Sequence, residues 1–256
     1  EIYQCDWSSD VCSSDLTGNN NTAVGYQSMY YNTIGINNTA IGHGSLAANT
    51  TGVRNTAIGS IALTANTTGI ENTAVGFGTL YQATTGSFNN AFGSSDTIVG
   101  PALGNNLTGS YNNAFGNGAL GNNNANSNCA FGHSALKQNS TGTPNDAFGY
   151  QALYSNTTGA NNTAIGYKSL FANTIGGQNT AIGSNCLTSN TTGTYNVAIG
   201  YASLLLNTIG VQNMAFGGGA LYANTTGSNN IAIGDSSLYT NTTGSNRSER
   251  AHVWTP

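Results

Sequence analysis

The sequence predicts an all-β protein, a parallel β-solenoid (a β-roll or β-helix) of 17-residue coils, and three observations predict it. From Thr17 to Asn246 the chain matches itself at a period of 17, as in TGANNTAIGYKSLFANT from Thr158, and a fixed period of this size marks a stacked repeat. Each repeat holds a short β-prone segment, N-T-A-I-G or a near variant, closed by glycine. Only 5% of the 256 residues are charged, against 35 glycines, where about a quarter charged is usual for soluble domains. Uncharged Asn and Thr must do the solvating. Disorder explains this composition poorly, because Ile, Val, Leu, Phe and Tyr return on a fixed beat. A helical repeat explains it no better, since Gly, Asn and Thr are poor helix formers and no long stretch has i, i+3, i+4 apolar spacing.

Thirteen repeats begin at Thr17, Ile34, Thr51, Thr68, Thr85, Thr108, Ala125, Thr141, Thr158, Ile175, Thr192, Ile209 and Thr226, with a stub from Thr243. The fifth carries six extra residues around Ser94 to Gly100, and the seventh is one residue short. Position five is always Asn, position seven always Ala and position nine always Gly; position eight is Val, Ile or Phe. Position thirteen is Leu except for Met29, and position sixteen is Asn except for Ala83.

N-T-A-I-G is expected to be a strand, its glycine permitting a corner. The x-x-A-L segment is either a second strand or one short helical turn, because four residues are too few for periodicity to separate the two. N-T-T-G is expected to make the return bend, Asn tolerating left-handed backbone and Gly accepting positive φ. With coils stacked at about 4.8 Å, the position-eight and Leu columns are expected to form a dry core, and the Asn columns to hydrogen-bond along the axis. Successive strand residues point to opposite faces. With position eight inward, the alanine column is therefore expected outward, as a narrow ladder along which copies associate.

Both ends depart from the repeat. Asp6 to Leu16, DWSSDVCSSDL, resembles the translation of a short-read sequencing adapter, and Arg247 to Pro256, RSERAHVWTP, resembles its reverse complement. Residues 1–16 and 247–256 are accordingly expected to be adapter-derived and not native, around a solenoid of residues 17–246 in a metagenomic fragment. Within 17–246 the acids are Glu71, Asp96, Asp146 and Asp235 and the bases Arg54, Lys137 and Lys168, a near-neutral balance that gives nucleic acid nothing to bind. No apolar run is long enough to span a membrane. Cys129 and Cys186 fall at different phases several coils apart, too far for a disulfide.

Catalytic patterns are missing from the sequence, and no enzyme, metal or cofactor is expected. His43 and His133 share position ten but are far apart along the chain, and the acids are scattered at unrelated phases, which defeats a paired-carboxylate mechanism. Gly116 to Gly121 matches G-x-G-x-x-G only through the repeat's own glycines, outside any βαβ unit. Asp is missing from the positions a calcium-binding nonapeptide repeat needs. Sequons at Asn49, Asn66, Asn156 and Asn224 read as repeated turn chemistry, with glycosylation as the alternative. The candidate ligand residues are aromatic rows: Tyr26, Tyr150, Tyr167 and Tyr201 at position ten, and Tyr30, Tyr81, Tyr154, Phe171, Tyr222 and Tyr239 at position fourteen. Such rings offer apolar area with a polar tip to a sugar or host surface, or else pack between coils or at an oligomer seam.

The uninterrupted N-T-A-I-G-x-x-A-L repeat over Thr17 to Asn246 resembles the head repeats of trimeric autotransporter adhesins, and related modules of phage tail fibres that end in an endosialidase-type chaperone domain. The resemblance implies a non-enzymatic extracellular fibre segment on a cell or virion surface, a homotrimer, with a host-surface or glycan ligand. Its period is longer than the usual adhesin repeat, and residues 17–246 are repeat throughout, without the coiled-coil stalk, anchor barrel or chaperone domain of those families, as expected of a truncated fragment. An ice-binding solenoid is a further reading, weakened because the threonines are adjacent and do not alternate as T-x-T. A polysaccharide lyase on a β-helix lacks the clustered acids and bases it would need.

Overall fold

A computed structural model describes residues 18–94 and 100–250. Residues 1–17, 95–99 of the insertion and 251–256 lie outside the described residues; they take in the whole adapter-like segment 1–16 and the last six residues of the segment 247–256, whose first four residues are described. The chain is all-β and its coils gather into two compact units, 1–128 and 129–256. The first contains β1 (Thr22–Val24), β2 (Thr39–Ile41), β3 (Thr56–Ile58), β4 (Thr73–Val75), β5 (Asn90–Phe92) and β6 (Asn113–Phe115). The second contains β7 (Asn128–Phe131), which starts at the division, β8 (Asn145–Phe148), β9 (Asn162–Ile165), β10 (Thr180–Ile182), β11 (Val197–Ile199), β12 (Met214–Phe216), β13 (Ile231–Ile233) and β14 (Ser248–Arg250).

Inside each unit the strands pair in parallel and in sequence order, like residue on like: Ala40 on Ala57 and Ile41 on Ile58, then Ala181 on Ala198 and Ile182 on Ile199. The 17-residue period thus becomes one coil, and each sequence column becomes a ladder. β14 continues the register, Ser248 beside Ile231 and Arg250 beside Ile233, with all three of its residues exposed.

The interior of a coil is polar at its corners and apolar between them. Asn55 Nδ2 donates to Gly69 O at 2.8 Å, while the Asn55 backbone N–H donates to Asn38 Oδ1 at 2.9 Å. The position-five side chain thereby satisfies a backbone donor in the next coil. From position sixteen, Asn66 Nδ2 donates to Asn49 Oδ1 at 2.9 Å and to the same Gly69 carbonyl at 3.2 Å. Both asparagine columns are buried and converge on one carbonyl per coil. In a regular coil that residue is glycine, because a Cβ on Gly69 would collide with Asn66 Oδ1 and the Gly86 carbonyl. These asparagines work as interior hydrogen-bonding groups, not as the bend residues expected of N-T-T-G.

The left-handed residues fall elsewhere, at positions four, nine, eleven and thirteen, for example Glu71 (φ 55), Gly59 (φ 130), Ile61 (φ 50) and Leu63 (φ 51). The second side of the coil is consequently a turn ladder, neither strand nor helix. Ile61 N–H donates backward to His43 O at 2.8 Å, and Leu63 N–H donates forward to Thr79 O at 2.9 Å. That side is tied to the coil before it and the coil after it.

The expected strand facing is reversed. Ala164 is 0% exposed and Ile165 is 39% exposed, and the same contrast recurs along both columns. Two asparagine columns, the leucines of position thirteen and the small residues of position twelve fill the coil, so only a methyl group fits opposite them. Leucine is buried as anticipated; Ile, Val and Phe of position eight face out, and the alanine seam does not exist.

Two stability outcomes follow from this packing. Leu153→Ala is expected to cost about 2 to 5 kcal/mol, the range for a large-to-small core change. Ala83 breaks the position-sixteen ladder and leaves Asn66 Oδ1 buried without a partner. Ala83→Asn supplies the missing donor and is expected to stabilise by about 1 kcal/mol. Urea unfolding midpoints measure both, and an unchanged midpoint for either contradicts the packing described.

Candidate binding face

Positions ten and fourteen lie on the turn-ladder side, just past the position-nine corner, and stacking coils turns their rings into piles. Tyr150 stacks on Tyr167 with centroids 5.5 Å apart and planes 9° from parallel, and His133 stacks on Tyr150 at 5.3 Å. Tyr154 stacks on Phe171 at 5.3 Å, Tyr222 on Tyr239 at 4.8 Å and Tyr26 on His43 at 5.5 Å. Tyr30 instead meets Tyr31 edge-on at 4.7 Å. Tyr81 and Tyr201 are exposed rings that stack on no other ring among the described residues. Face-to-face stacking uses up ring faces, so most of each row presents edges and hydroxyls to solvent. The rows join only rings of consecutive coils.

Piles that residue-by-residue reading missed occur at position eight, Phe92 on Phe115 and Phe131 on Phe148, and at position four, Phe88 on Tyr111. The signal was available: aromatic residues at equal phase in adjacent coils. Lysine joins two piles. Lys168 Nζ lies 5.4 Å from the centroids of both Tyr167 and Phe171, and Lys137 Nζ lies 6.0 Å from that of Tyr154.

Among the described residues one ion pair forms. Arg54 Nη1 donates to Glu71 Oε1 at 2.8 Å, an exposed pair between adjacent coils. Asp146 sits exposed on β8. Among the described residues no group of three or more His, Cys, Asp or Glu is placed to hold a metal, and no helix is long and apolar enough to cross a membrane. A cavity of about 550 Å³ beside the last coil is lined by Tyr239, Asn241, Gly244, Arg247 and Glu249 among others. Its carboxylate donates nothing and accepts from the Leu238 backbone, as a structural cap would.

Position-sixteen sequons cannot accept a glycan in the folded protein, since Asn49 and Asn156 are buried and their amide nitrogens already donate. The paired threonines are also committed: Thr50 Oγ1 donates to Thr67 O, and Thr174 Oγ1 to Thr191 O, each at 3.1 Å. The outward threonines are those of position six, beside Ile or Val of position eight, as Thr39 beside Ile41 and Thr56 beside Ile58.

Cys129 and Cys186 are both free thiols. Burial, then the neighbouring Asp146 charge, pushes the Cys129 thiol up. Burial pushes the Cys186 thiol up to about 12, and its Sγ lies within donating distance of the Ile182, Ala198 and Gly200 carbonyls. Scans against protein-family models, curated proteins and solved structures find no match to this chain.

The Cys186 shift fixes a pH dependence. The thiol stays neutral in the folded state but ionises near pH 8.5 when unfolded, so its contribution is complete below about pH 8.5 and is lost as pH rises from there toward 12. The urea midpoint is expected to fall between pH 7 and pH 10 by more than in Cys186→Ala, a residue that position twelve carries in other coils. Equal falls would place the thiol in water.

Proposed function

We propose that the chain is a non-enzymatic segment of an extracellular structural and adhesive fibre, assembled as a parallel homotrimer along the outward face of its strands. The observation that carries this is the bare apolar side of a parallel sheet. Parallel sheets are ordinarily covered on both faces. Here the interior covers one face, while the other exposes Ile41, Ile58, Ile165 and their column. Over β11 to β13 the face is apolar at both outward positions, with Val197 beside Ile199, Met214 beside Phe216 and Ile231 beside Ile233. A continuous apolar strip of this kind marks an interaction surface, and a thin coil core gains from association.

The repeat's resemblance to adhesin heads and tail-fibre modules supports the same reading, as does the scatter of its acids and bases. Adhesin and phage fibre share this geometry, and the neighbouring genes of the intact locus distinguish them.

Light scattering at micromolar concentration tests the assembly. The unmodified chain is expected as a trimer, and Ile165→Gln with Ile182→Gln as a monomer with its circular dichroism spectrum and melting temperature nearly retained. Ala164→Gln, by contrast, should unfold the coil. A folded monomer for the unmodified chain overturns the assembly and leaves the Thr39, Ile41, Thr56, Ile58 face open to water, the arrangement an ice-binding solenoid needs. Thermal hysteresis would then decide that alternative.

A further inference from the structure

Lys168 is an unusual cation in this molecule. Arg54 is neutralised by Glu71, whereas among the described residues Lys168 meets no carboxylate and rests on two rings. Tyr150 covers one face of Tyr167 and Tyr154 covers one face of Phe171. The faces left for the ammonium are those turned toward the next coil.

That next coil is small at both phases. It places Ser184 at position ten, between Tyr167 and Tyr201, and Thr188 at position fourteen, between Phe171 and Leu205. One coil further on, position ten is Tyr201, 67% exposed, and beyond it stands Gly218. Tyr201 therefore keeps open faces. The result is a notch one coil deep, with Tyr167 and the Lys168 ammonium on one wall and Tyr201 on the other. Two coil steps separate the walls by about 10 Å, and a ring in contact with both at about 4 Å on each side fills that gap.

We propose that this notch binds one carboxylated pyranose of an acidic surface glycan. The carboxylate pairs with Lys168 Nζ, and the C–H face of the sugar packs on Tyr201. Sugar hydroxyls meet Ser184, Asn185 and Thr188, whose own hydroxyl donates to Lys168 O at 3.2 Å and keeps its lone pairs for an incoming donor. One coil rise is close to the length of a sugar residue in an extended glycan, so neighbouring residues can run along the coil axis over the exposed edges of the Tyr150 and Tyr167 pile. A nucleic acid is a poorer fit, because a single unpaired ammonium cannot hold a polyanion.

This inference rests on the adhesive half of the reading above and is independent of the assembly, since the notch lies across the position-nine corner from the strand face. Saturation-transfer NMR with methyl β-D-glucuronide tests it, with methyl β-D-glucoside and benzoate as controls. The glucuronide is expected to bind in the millimolar range, with saturation on its ring C–H protons, at least about fivefold tighter than either control. Lys168→Met and Tyr201→Ala should each weaken it by about fivefold or more with an unchanged melting temperature. Lys137→Met, which removes the same charge from the other end of the pile, should leave binding unchanged. Equal binding of glucoside, equal binding of benzoate, indifference to both variants, or no binding up to about 50 mM each overturns the proposal. Light scattering on the same samples separates the two readings. Lost binding in an intact trimer counts against the notch alone, and retained binding in a monomer counts against the assembly alone.

Discussion

The inward carbonyl of the glycine at position two, receiving two buried amides in each regular coil, is the constraint on which the rest depends. Asn55 and Asn66 both donate to Gly69, and the pattern recurs as Asn196 and Asn207 on Gly210. A buried carbonyl and two buried carboxamides would each be costly alone. Together they exhaust one another's hydrogen bonds and pass the remaining acceptors to the next coil. The glycine permits this because its missing Cβ is the space the asparagine oxygen occupies. Where the repeat is shortened, Ala125 takes the carbonyl's place and accepts from Asn112 and Asn123 at 2.8 Å each. The lost residue thus comes from outside the hydrogen-bonded corner, which is why the coil survives it.

Filling the interior with amides fixes what the outside must be. Two asparagine columns and a leucine column leave room for alanine alone on the strand, and alternation then sends every large β-branched or aromatic strand residue outward. The apolar outer face is thus a geometric result of the polar interior. The same packing forces leucine at position thirteen into left-handed backbone, as Leu63 and Leu153 show at φ 51 and 53, a conformation that disfavours L residues. Burial of the leucine side chain and the forward hydrogen bond from its N–H offset that strain.

Much of this was legible in the period. The recurrence of Asn, Ala, Gly and Leu at fixed phases, broken only by Met29 and Ala83, is enough to give a parallel stack with self-matching columns, and the Asn columns were readable as ladders. The facing of Ala164 and Ile165 was not legible, because size suggests that isoleucine belongs inside and only the volume taken by the asparagines says otherwise. The x-x-A-L side was also beyond reach, since its alternating handedness appears at Ile61 and Leu63, residues with no propensity for it. The aromatic rows were visible as phases, but whether rings stack or stand open depends on the next coil. Tyr167 has Tyr150 as its neighbour, whereas Tyr201 has Ser184 and Gly218.

The scarcity of charge has the same origin as the ladders. In a solenoid every column lies on itself at about 4.8 Å, so a charge fixed by the repeat would face its own copy above and below, at roughly 1 kcal/mol per contact even in water. Neutral amides, hydroxyls and rings stack on their copies favourably. Charges can enter only where the repeat is broken deliberately, as by Arg54 and Glu71, which hold position four in adjacent coils and meet as opposites at 2.8 Å. The lysines obey the same rule by another route, Lys137 and Lys168 each closing a pile of rings instead of joining a column of like charge. A charge that survives in such a lattice without a counterion is therefore rare; of the two lysines held this way among the described residues, Lys168 rests on two rings beside an unfilled step, and on it the candidate binding site is built.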